Sequence, residues 1–141
     1  MRFMVLVKAT NDSEAGVMPP EEMLIAMGKF NEELVKAGVL LAGDGLKPSS
    51  AGSRIAFGPK GKTAVIDGPF AETKELLSGF WMVQMKSKAE AIEWFSRAPF
   101  RDGEIEIRPV FEAADFEPTV KTEAGRAVLD WEEEQRKNNK I

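Results

Sequence analysis

Asp67-Gly68-Pro69-Phe70-Ala71-Glu72-Thr73-Lys74-Glu75-Leu76-Leu77-Ser78-Gly79-Phe80 is the stretch around which the chain is organised. Thr63-Ala64-Val65-Ile66 before it reads as a strand, and Phe80 to Lys86 resumes as strand after it. Asp67-Gly68 is turn chemistry, because Asp bonds its own following backbone and Gly accepts positive φ. Pro69 fixes φ and removes a donor, so the strand ends abruptly with Asp67 at its rim. Ala71 to Leu77 is expected to form one or two helical turns, stopped by Gly79. A polar loop between strand ends is where sites are commonly built.

Working outward, residues 2–8 place Phe3, Val5 and Val7 on one face and Met4, Leu6 and Lys8 on the other, an interior strand apolar on both sides. Ala9 to Met18 is polar and reads as a long loop. Pro19-Pro20-Glu21-Glu22 starts a helix to about Ala37, with Met23, Met27, Phe30, Leu34 and Ala37 as its core stripe and Gly38 as its end. The methionines read as core filler. Val39 to Ala42 is a second strand, and the following Gly43-Asp44-Gly45 lacks the helix that a phosphate loop requires. Ser53 to Phe57 and Lys62 to Ile66 form a hairpin through Gly58-Pro59-Lys60-Gly61. Ser87, with Glu90 three residues on, caps a helix faced by Ala91, Ile92, Phe95 and Ala98. Glu104 to Arg108 alternates as a half-buried strand, ended by Pro109.

With the hairpin set aside, the order is βαββαβ, predicting an α+β, ferredoxin-like antiparallel sheet with both helices on one face. The other face is also apolar, and symmetric pairing covers such a face, so a homodimer is expected. Residues 1–118 are read as this domain and 119–141 as a charged tail. Thr122 to Lys137 within that tail is expected to be helical, with sparse apolar contacts at Ala127, Val128 and Trp131.

Composition narrows the chemistry. The 141 residues suit one domain with a core of its own. There is no Cys, which excludes disulfides and thiolate nucleophiles and leans towards a reducing, cytoplasmic setting. There is no His, so any acid/base work falls to carboxylates, and an intrinsic metal site is not expected. A net charge of −4 argues against direct nucleic-acid binding. No apolar run approaches a membrane span, and the first residues are too strand-like for a signal peptide.

The run DGPFAETKELLSGF resembles the signature of DGPF-domain proteins, a branch of the YCII-related (YciI-like) family. Glu14 to Pro19, Gly38 to Ser49, Ala91 to Trp94 and Glu104 to Val110 are similar to that family in the same order. The resemblance implies a dimeric α+β barrel without a cofactor. In the wider family a His and an Asp are proposed to act as a pair; with no His here, only the acid, Asp67, carries over. Glu72 and Lys74 of the following turn carry over as ligand-binding candidates, and Arg108 is added because it leaves the last strand.

Two readings of Asp67 stay open. A carboxylate held at a strand end moves a proton while Lys74 or Arg108 stabilises an anion. Alternatively, Asp67 caps the turn from Glu72 to Leu77, and Lys74 pairs with a neighbouring acid. The functional readings are likewise two. One is binding of a small molecule near the DGPF loop with cofactor-free acid/base chemistry, by analogy with a wider-family member similar to a dehydrochlorinase. The other is a regulatory or structural dimeric module, since DGPF domains occur beside sigma factors.

Overall fold

The computed structural model describes residues 1–141. They form two compact units, Met1–Pro109 and Val110–Ile141.

In the first unit the elements run β1 (Arg2–Lys8), α1 (Asn11–Glu14), α2 (Glu21–Lys36), β2 (Leu40–Gly45), β3 (Ser53–Phe57), β4 (Thr63–Asp67), β5 (Leu77–Gln84), α3 (Lys88–Phe95) and β6 (Ile105–Pro109). The main sheet has the order β2-β5-β1-β6 with every neighbouring pair antiparallel. That is the ferredoxin-like order, with the β3–β4 hairpin inserted as a sheet of its own.

Alternation along the strands decides what is buried. Phe3 and Val5 of β1 lie on the same face as their β5 partners Val83 and Trp81, and all four are buried. They pack with Phe30 and Leu34 of α2 and with Ala91 and Phe95 of α3. Rings dominate this core: Phe30 and Phe95 meet edge to face at 5.6 Å, and Trp81 lies 5.3 Å from Phe95. The indole N–H of Trp81 donates to Asn31 Oδ1 at 2.8 Å, so the one polar atom of that ring is satisfied.

The opposite face carries Met4 beside Met82 and Leu6 beside Phe80, all half-buried. Glu106 and Arg108 of β6 continue those two rows to one edge. This face is therefore an apolar band ending in charge.

Five expectations change in detail. The polar segment from Ala9 to Met18 contains α1, because Thr10 and Ser13 form a capping box in which each side chain accepts the other's backbone N–H. Ala71 to Leu77 holds only a single 3-10 turn, Thr73–Glu75. The chain must be extended again at Leu76, whose buried side chain and whose carbonyl, accepting from Ala9 N–H at 2.9 Å, fix it beside the end of β1. Hence β5 begins at Leu77, three residues earlier than the apolar run suggests. On α3, Ile92 is exposed while Ala91 and Phe95 are buried. Ala37, expected in the core stripe of α2, is exposed at the end of that helix. The cap signal of α3 is realised: Ser87 accepts from Glu90 N–H at 3.1 Å.

The second unit holds α4 (Ala113–Phe116) and α5 (Glu123–Lys137). Thr122 caps α5 by accepting from Gly125 N–H at 3.1 Å. Glu132–Arg136 and Glu133–Lys137 pair one turn apart along it. Its Val128 and Trp131 are exposed. No helix in either unit is long and apolar enough to cross a membrane.

Candidate functional site

β4 delivers Asp67 to the open end of the hairpin, opposite Ser53 at the start of β3. The Ser53 hydroxyl donates to Asp67 Oδ1 at 2.7 Å. Asp67 does not cap the turn that follows: Glu72 occupies that position, without a side-chain bond to it. Glu72 lies five positions beyond Asp67, and the loop between them is held instead to Ser49 and Gly52 through Phe70 N–H and Gly68 N–H. Asp67 is exposed, and its Oδ2 carries no hydrogen bond from the protein.

The loop after Asp67 is fixed by a neighbouring loop. Gly68 N–H donates to Gly52 C=O at 3.0 Å, and the Gly68–Pro69 bond is cis. Phe70 N–H donates to Ser49 Oγ at 3.0 Å. The Ser49 hydroxyl in turn donates to Glu14 Oε2 at 2.5 Å, and Ser49 N–H donates to Glu14 Oε1 at 2.9 Å. The Ser49 hydroxyl foremost, with its N–H second, holds the Glu14 carboxyl below the usual carboxylate range. Arg54, one residue beyond Ser53, lays its guanidinium 3.7 Å from the centre of the Phe70 ring.

Glu72 and Lys74 lie exposed in the same loop and enter no ion pair. Arg108 is elsewhere: it sits on β6 in the main sheet and bonds Glu106 on its own strand. That bond, more than the 3.7 Å approach of Lys8, holds the Glu106 carboxyl low. No hydrogen bond or ion pair joins Asp67 to Lys74 or to Arg108. No group of three or more Asp or Glu side chains is gathered as a metal site.

Residues 1–114 match the family described as the YCII-related domain. The chain belongs to that family. This YCII-related chain is 34% identical over 93 residues to an uncharacterised protein of Rhizobium meliloti (strain 1021), spanning 64% of this chain and 74% of that one. Among solved structures it is similar to 5-chloro-2-hydroxyhydroquinone dehydrochlorinase from Burkholderia phenoliruptrix AC1100, in complex with 2,5-dihydroxybenzoquinone. That likeness covers 79% of this chain and 95% of the other, at 14% identity and a TM-score of 0.46.

Four residues that the structure gathers around Asp67 and the loop after it escape sequence reasoning as members of the candidate site: Glu14, Ser49, Ser53 and Arg54. Glu14 and Ser49 are 35 positions apart, and no periodicity links them. Ser53 had a legible signal, because a hairpin that closes through Gly58 to Gly61 sets it directly across from Asp67.

Proposed function

We propose that this YCII-related chain binds a small molecule at the DGPF loop, with Asp67 as the acid/base group. The observation that carries this reading is the state of the Asp67 carboxylate. One oxygen is oriented by Ser53 and the other is unengaged and open to solvent. A carboxylate so held is available to accept a proton or a hydrogen bond from a hydroxylated ligand without first breaking an internal bond. With no His in the chain, a carboxylate is the group left for that work near neutral pH. Glu72 and Lys74 are the further polar groups the loop offers. Arg108, on β6 and bonded to Glu106, lies outside this loop and is not needed for the reading.

The reading includes a homodimer. The band of Met4, Leu6, Phe80 and Met82 has the helices on its far side, and a second copy of the same band is the complementary cover. That same band supports the alternative of a dimeric module without catalysis, which differs in requiring nothing of Asp67.

A thermal-shift screen of small hydroxylated and aromatic metabolites tests the site. A ligand at a hundred times its Kd stabilises by about 2.7 kcal/mol, enough to see as a higher melting temperature. Asp67→Asn keeps an acceptor for Ser53, so it should melt like the parent yet show no shift with the hit. A variant that responds like the parent removes Asp67 from the site and leaves the dimeric module.

A further inference from the structure

We infer that Glu14 is a positioning residue for the DGPF loop, acting through Ser49; the inference rests on the ligand-site reading above. The two residues form a relay with a direction. Both oxygens of Glu14 are occupied by Ser49, one by its N–H and one by its hydroxyl. With its proton committed to Glu14, the Ser49 oxygen presents its lone pairs to Phe70 N–H. The loop after Asp67 is thereby pinned three residues past the carboxylate, while Gly68 N–H on Gly52 pins it one residue past.

The carboxylate is specifically what this arrangement uses. An amide at residue 14 still offers one acceptor to Ser49 N–H but turns an NH2 group towards the hydroxyl. The hydroxyl proton then loses its acceptor, and the oxygen, now accepting from the amide as well, is no longer oriented towards Phe70 by a committed proton, which weakens that bond. Glu14 comes from the short helix after β1 and Ser49 from the loop after β2, so the site depends on two segments remote from it in sequence.

The test needs no ligand. Amide exchange of Phe70 and the side-chain carboxyl signal of Asp67 are followed by NMR in the full chain for the parent, Glu14→Gln, Ser49→Ala and Ser49→Thr. Expected is at least tenfold faster exchange at Phe70 and a displaced Asp67 signal in Glu14→Gln and Ser49→Ala. Ser49→Thr, which retains the hydroxyl, should match the parent, and β1 core amides should stay protected in all four. Parent-like Phe70 exchange and Asp67 signal in Glu14→Gln overturn the inference. So does a loss of protection shared equally by β1, which makes Glu14 a contributor to overall stability and not to the loop. A metabolite screen without hits refutes the ligand site and leaves this result standing, so the two failures are distinguishable.

Discussion

Gly68 and Ser49 approach so closely that a Cβ on Gly68 would lie 1.8 Å from the Ser49 carbonyl oxygen. The obstacle is backbone, not the end of a flexible side chain, so it yields only if one loop moves. Gly68→Ala should therefore cost about 1–3 kcal/mol, the usual range for overpacking, and should abolish any ligand response at Asp67. Chemical denaturation showing a loss well under 0.5 kcal/mol, on the order of an indifferent surface change, would mean the loops part freely.

Gly28 is the opposite case. It lies inside α2, and a Cβ there meets nothing within 4 Å. Gly28→Ala should stabilise the first unit by about 0.8–1 kcal/mol through helix propensity alone. A lower denaturation midpoint in the variant would contradict the open space described for that position.

Ser53→Ala removes the hydrogen bond that orients Asp67, at an exposed position. The expected stability change is small, about 0.5–1.5 kcal/mol at most. The ligand response should weaken by more than that stability loss explains. Titration of parent and variant with the same hit decides it; equal affinities would make the Ser53–Asp67 bond irrelevant to the site.

Acidification should loosen the first unit. The folded-state pKa values of Glu14 and Glu106 lie below the ordinary carboxylate value. Their contributions are complete above the unfolded value of about 4.3 and are lost as pH falls through the lower folded values. Glu14→Gln should flatten the fall in melting temperature below that point, while the parent falls more steeply. Superimposable acid limbs would show that Ser49 does not favour the charged form of Glu14.

A homodimer is expected at micromolar concentration, with Met82→Glu a monomer of unchanged circular dichroism. Analytical ultracentrifugation checks both. A parent that sediments only as monomer sinks the pairing of the open sheet faces, and a dimeric Met82→Glu moves the interface elsewhere.

The βαββαβ order was legible because each element carries its own local signal: alternation in β1, the four-and-three stripe of α2, the Ser87 cap of α3. The extent of the turn after Ala71 was not, because Leu76 is recruited to the end of β1 by a bond from Ala9, a contact with no local trace. Asp67 was legible as a rim residue from Asp-Gly-Pro chemistry. Its partners were partly so: Ser53 follows from hairpin register, whereas the Glu14–Ser49 relay exists only once β1 and β2 have been brought into one sheet. Arg108 could be placed on its strand from sequence, but not its engagement by Glu106.

The three tryptophans occupy three different surroundings, and the chain has no Tyr to mask them. Trp81 is 5% exposed, bonded to Asn31 and enclosed by phenylalanines; Trp94 is half-buried under the Arg97 guanidinium; Trp131, in the second unit, is 56% exposed. Intrinsic emission is thus a built-in pair of gauges, blue from the aromatic core of the first unit and red from α5. Replacing Trp94 alone by Phe leaves Trp81 and Trp131 as the two reporters, so that melting of the core and fraying of the tail helix are read as separate colours in one cuvette.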